Sequence, residues 1–146
     1  MTGNNEKSGM HIEFSLDHAA VTVSNLDVSM AFYTKLFGFT CERTIEMPHG
    51  AGRIALLRKP DMTIEMFQFA GTSPLADDGR AAIRDLSIIG VRHLAFRVKD
   101  IRDAAPFLKE QGVEFLSEPV VGARGFYRCF VQDPDGIPIE LTEGPQ

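Results

Sequence analysis

The chain has 146 residues, 44% of them apolar and 24% charged, with a formal net charge of −5 and a pI near 5.3. This balance suits a globular chain of one compact domain or two tightly joined halves, and it excludes the disordered and fibrous classes. There is no Lys/Arg run and no apolar run of the ~20 residues a spanning helix needs, which argues against nucleic acid and membrane as partners.

Residues 1–13 read as a flexible lead without the apolar middle of a secretion signal, so the cytoplasm is the expected compartment. A half-buried strand is predicted over residues 14–23. Ser24-Asn-Leu-Asp27 then has the pattern of a capping box, with Asp in place of the usual Glu. Val28, Ala31, Phe32 and Leu36 recur at helical spacing, and Gly38 stops the helix. Three strands are expected next, over residues 39–47, 53–58 and 62–69, with a turn at Lys59-Pro-Asp61. Residues 70–90, rich in Gly, Ser, Pro and Asp, read as a linker with a short helix over 79–86.

The same order follows again. A strand is predicted over residues 91–98, then a helix capped by Asp100. Its buried stripe is Ile101, Ala104, Ala105 and Leu108, and Gly112 ends it. Pro106 is a defect in that helix and a place for a kink. Strands over 113–119, 127–132 and 137–142 complete the second half, with a turn at Asp133-Pro-Asp-Gly136. The predicted fold is therefore α+β, with two tandem βαβββ modules over residues 14–69 and 91–143. Cys41 and Cys129 both fall in predicted strands and are read as buried, reduced thiols.

The two modules superimpose at a shift of 75 residues, and histidine falls on histidine (His18 and His93). Glu65 falls on Glu140 and Arg53 on Arg128 at the same shift, and each half thus carries a His and a Glu 47 residues apart. Side chains alternate between strand faces. Ala19, Val21 and Val23 therefore share a helix-facing side, as do Leu94, Phe96 and Val98, which leaves His18 and His93 on the concave side. Ile64 and Met66, and Ile139 and Leu141, likewise turn Glu65 and Glu140 away from the helices. Charged groups on a largely buried surface need partners. A divalent cation held in a central cavity by His18, Glu65, His93 and Glu140 answers that need, and the donor set suits Ni, Co, Zn, Mn or Fe.

Asp17-His-Ala-Ala-Val-Thr-Val, Phe32-Tyr-Thr-Lys-Leu-Phe-Gly38, Gly90-Val-Arg-His-Leu-Ala-Phe96 and Asp133-Pro-Asp-Gly-Ile-Pro-Ile-Glu-Leu141 together resemble the vicinal oxygen chelate superfamily. That group includes glyoxalase I, methylmalonyl-CoA epimerase, extradiol dioxygenases and bleomycin-resistance proteins. The resemblance covers about residues 14–143 and implies curved mixed sheets around one metal, with ligands at the same four positions. The His/Glu/His/Glu set is similar to that of bacterial-type glyoxalase I. It implies a metal-dependent lyase or isomerase that chelates vicinal oxygens of a small substrate and stabilises an enediolate-like intermediate. Glu140 is the implied base, with Glu65 as its mirror partner.

Thr22 and Phe69 stand where glyoxalase I of this type carries Arg and Asn, which points to a substrate other than a glutathione adduct. Arg97 on the His93 face, Arg124 in the glycine-flanked loop 122–127, and Phe67 and Phe69 beside Glu65 are the expected substrate contacts. His11 and His49 have no partner pattern and read as surface residues. The resemblance also implies a homodimer, with the site within one chain or between two. The rival readings are an extradiol-type dioxygenase and a non-catalytic drug- or metabolite-binding protein.

Overall fold

The structure is a computed structural model that describes residues 13–75, 87 and 89–144. The first half contains β1 (Ala19–Thr22), α1 (Leu26–Phe37), β2 (Thr40–Glu46), a short 3-10 turn at Pro48–Gly50, β3 (Gly52–Lys59) and β4 (Met62–Phe69). The second contains β5 (Leu94–Arg97), α2 (Ile101–Glu110), β6 (Val120–Val121), β7 (Tyr127–Gln132) and β8 (Pro138–Thr142). Each half makes a four-stranded mixed sheet, ordered β1-β4-β3-β2 and β5-β8-β7-β6. These are two tandem βαβββ modules. The expected helix over residues 79–86 lies outside the described residues.

The first strand of each module pairs in parallel with the last, with Ala20 opposite Glu65 and Ala95 opposite Glu140. Parallel neighbours need a crossover, and α1 and α2 supply it. The alternation holds where it matters. Val23, Ile64, Met66, Ile139 and Leu141 are fully buried, while Glu65 and Glu140 are only half-buried on the opposite face.

The helix ends show why these segments are helical. Asn25 caps α1 by accepting from the Val28 N–H at 3.1 Å, and Asp100 caps α2 by accepting from the Arg102 N–H at 2.8 Å. The expected capping box at Ser24 is thus corrected by one residue. The Ser24 N–H instead donates to the Asp135 carboxylate, and Asp27 pairs with Arg53 at 2.9 Å. A second device ties each helix start to its own sheet: the Leu26 N–H donates to Gln68 Oε1 at 2.8 Å, and the Ile101 N–H to Glu143 Oε1 at 2.9 Å. These pairs are also related by the 75-residue shift. Gly112, at φ 79°, ends α2, with the Val113 N–H bonded to the Leu108 carbonyl and the Gly112 N–H to that of Lys109. The helix runs without interruption through Pro106.

Three other expectations are corrected. The opening strands are short, and Phe14, Leu16, Ile89 and Val91, which precede them, are 89–100% exposed. Residues 113–119 are not a continuous strand. Phe115 makes one bridge to Val131, and the Leu116 and Ser117 N–H groups both turn to the Phe130 carbonyl. Cys41 is exposed on β2, and only Cys129 is buried, where loss of solvent pushes its thiol up to about 11.

The modules share one core, and α1 is its hub. Tyr33, Phe37 and Phe39 surround Phe96 of β5, with ring centroids 5.0–6.4 Å away. The buried Tyr33 hydroxyl donates to Asp133 Oδ2 at 3.1 Å. Asp133 Oδ1 accepts from the Asp135 and Ile137 N–H groups at 2.9 and 2.8 Å, which holds the Asp133–Gly136 turn in shape. Burial nevertheless raises the Asp133 carboxyl above its ordinary range, so its ionisation opposes folding. The stabilising contribution of the protonated form is lost as pH rises through that raised value.

Asp133→Ala should cost on the order of 3 kcal/mol in urea unfolding, because it strands two N–H donors and a buried hydroxyl. Asp133→Asn keeps the Oδ1 acceptor and should cost far less, and the comparison with wild type should move in its favour as pH rises from about 4 to 7. Equal losses for the two variants would show that the turn does not depend on this acceptor.

Candidate functional site

The concave face of each sheet carries one His beside one Glu. His18 immediately precedes β1, and Glu65 lies on β4 across the parallel ladder. His18 Nε2 is 3.4 Å from Glu65 Oε2. His93 immediately precedes β5, and its Nε2 is 3.2 Å from Glu140 Oε2 on β8. The same pair is therefore built twice by the same register. Two donor atoms that share a cation at about 2.0–2.2 Å each stand about 3–3.4 Å apart. Each pair meets that spacing, and the imidazole/carboxylate chemistry fits a first-row divalent ion.

The two pairs do not form one cluster within the single chain. Among the described residues, no group of three or more His, Cys, Asp or Glu side chains is placed to hold a metal. Each module supplies one His–Glu pair.

The surroundings of the two pairs differ. His18 Nδ1 lies 2.6 Å from Asp17 Oδ2, and this hydrogen bond holds the His18 imidazole above its usual range. His93 Nδ1 is buried and has no hydrogen-bond partner among the described residues. The His93 ring instead meets Phe130 edge-on at 5.2 Å, and the Arg128 guanidinium lies 5.3 Å over the same ring. Arg128 Nε is 4.0 Å from Glu140 Oε1. Phe130 sits directly opposite Glu140 in the β7–β8 ladder, which is why one ring serves both neighbours.

Asp17, Arg128 and Phe130 were not singled out as site residues from the sequence. For Arg128 a signal existed, since it aligns with Arg53 at the common shift. The two arginines diverge in place, because Arg53 turns to Asp27 and Glu46.

Phe67 and Phe69 share the Glu65 face and stack in parallel at 5.9 Å, with Phe69 43% exposed. They can wall a pocket beside Glu65. Arg97 is exposed at the end of β5, and its guanidinium lies against Gly144. Arg124 is exposed in a turn closed by the Gly122 N–H to the Phe126 carbonyl at 2.8 Å. That turn reads as an ordinary strand connection. His49 is exposed in the 3-10 turn, and His11 lies outside the described residues.

Residues 15–141 match the family described as Glyoxalase/Bleomycin resistance protein/Dioxygenase superfamily. The chain belongs to this superfamily. Its relatives include the uncharacterised protein YwkD of Bacillus subtilis, 32% identical over 88% of this chain and 96% of that protein. A probable lactoylglutathione lyase of Synechocystis is 28% identical over 86% of this chain and 92% of its own length. An ethylmalonyl-CoA/methylmalonyl-CoA epimerase of Cereibacter sphaeroides is 28% identical over 88% and 96%. Among solved structures, a glyoxalase family protein from Enterococcus faecalis superimposes with a TM-score of 0.72 at 30% identity, covering 88% of this chain and 97% of that one. As in the glyoxalase fold, both sheets here are mixed and each is crossed by one helix. No helix among the described residues is long and apolar enough to cross a membrane.

Phe130 should be structural for the second half-site. Phe130→Ala removes a ring that is 7% exposed and should cost about 3–5 kcal/mol in chemical denaturation. A loss below about 1 kcal/mol would show that His93 and Arg128 do not rely on that ring for support.

Proposed function

We propose that the protein is a metal-dependent lyase or isomerase that moves a proton next to a carbonyl of a small oxygen-rich substrate. The observation that carries this reading is the repeated His–Glu pair, at 3.4 Å in the first module and 3.2 Å in the second, fixed by matching strand registers. Relatives named as a lyase and an epimerase support it, since both reactions can be run by proton transfer beside a carbonyl. Thr22 and Phe69, exposed on the concave side, favour a substrate other than a glutathione adduct.

His18, Glu65, His93 and Glu140 would hold the ion. When bound, a divalent cation supplies Lewis acidity to two neighbouring substrate oxygens. In this reading Glu140 takes and returns the proton. The Arg128 guanidinium lies 4.0 Å from Glu140 Oε1, at the edge of the same pair. Arg128 also offers a charged donor to an anionic substrate group. Phe130 beneath it, and Phe67 and Phe69 in the other module, would supply apolar walls around the substrate.

The complete site forms between two copies of the chain, as the first-module pair of one protomer meets the second-module pair of the other. Two features support a dimer. Each single chain gathers its ligands only in pairs. Beside each histidine lies an exposed apolar run, Phe14 and Leu16 before His18, and Ile89 and Val91 before His93. Exposed apolar side chains at the end of an edge strand form a surface that association would cover. A two-fold arrangement uses both seams and makes two equal sites.

Protein purified without chelators should contain about one divalent ion per chain by elemental analysis. Glu140→Gln should keep the fold and lower proton exchange on acyl thioester or 2-oxo acid substrates by at least about 100-fold. Full activity in that variant would remove Glu140 from the base role. Protein that neither retains nor takes up a divalent ion would favour the metabolite-binding reading over an enzyme.

A further inference from the structure

We infer that Asp17 is a positioning residue, which fixes the His18 ring so that Nε2 presents its lone pair to the ligand position beside Glu65. This rests on the metal-site reading above and adds a residue that the four-ligand set does not contain. An ionised carboxylate can only accept, so at 2.6 Å from Asp17 Oδ2 the Nδ1 of His18 must carry the proton. In the neutral ring Nε2 is then the acceptor, and Nε2 is the atom 3.4 Å from Glu65.

The backbone explains how neighbours in sequence can make this contact. In a regular strand Asp17 and His18 would project to opposite faces. Here β1 begins only at Ala19, so both residues precede the ladder, and the Asp17 carboxylate meets the His18 ring at 2.6 Å. A carboxylate behind a ligating imidazole orients the ring and raises its basicity, and it does so without touching the ion.

The second module lacks this device. The shift that matches the histidines places Arg92 opposite Asp17, and His93 Nδ1 has no partner among the described residues. The two histidines are therefore unequal ligands. His18 is preset by hydrogen bonding, and His93 is held by ring packing on Phe130.

The test uses the full chain with Co2+ as the probe. In the metal-free protein, above the pH range of imidazole protonation, ring nitrogen shifts should show His18 as the Nδ1–H tautomer alone. Asp17→Ala, at a side chain 91% exposed in the single chain, should give a mixture of tautomers. It should also weaken Co2+ binding by about 10–100-fold in competition with a chelating dye. His18→Ala and Glu65→Gln should abolish that binding. If the wild-type chain binds no Co2+, the metal reading falls and takes the ligand role of His18 with it. If wild type binds and Asp17→Ala matches it in both tautomer and affinity, the role of Asp17 alone is overturned.

Discussion

The parallel pairing of the first and last strand in each module is the constraint on which the rest depends. It sets Ala20 against Glu65 and Ala95 against Glu140, and so places the preceding histidine beside the glutamate. Register is secured by what lies on the other face. Ile64 and Met66, and Ile139 and Leu141, are fully buried under the helices. A slip of one residue would drive each glutamate into that apolar layer and bring out a residue that belongs in the core. The chemistry on the concave face is thus held in place by packing on the convex one.

The second organising feature is α1, which serves both modules. Tyr33 spans them, with its ring against Phe96 and its hydroxyl on Asp133. The Asp133–Gly136 turn docks at the start of the same helix, where the Asp135 carboxylate accepts from the Ser24 N–H at 3.1 Å. Through these contacts the convex layers of the two sheets join in one core. Within a single chain the His18–Glu65 and His93–Glu140 pairs stay separate. Exposed apolar residues precede the two histidines at matched positions, Phe14 and Leu16 in the first module and Ile89 and Val91 in the second.

Much of this was legible in the sequence where a period carries the signal. The order of elements, the extents of β4 and β7, and the meeting of His with Glu in each module follow from alternation and from the 75-residue shift. Local competition was harder to read. Ser24 and Asn25 are both good caps, and only the shift from Asp100 singles out Asn25. The strand expected over 113–119 is interrupted where Ser117 Oγ takes the Phe130 N–H at 3.0 Å, a contact with no local pattern. Tyr33 and Asp133 lie 100 residues apart, and nothing in either segment announces the other. Asp17 was visible in the family-like stretch, yet its contact depends on a strand starting later than its composition suggests.

The most direct test of a site shared between chains mixes two variants, each lacking one histidine. His18→Ala and His93→Ala dimers should each bind no tightly held metal. In a mixed dimer one site gathers both substitutions, and the other is built wholly from intact residues. Co-produced and separated by charge tags, the mixed dimer should therefore regain one tightly bound ion per pair of chains. A mixed dimer as empty as its parents would contradict the shared site and return all four ligands to a single chain.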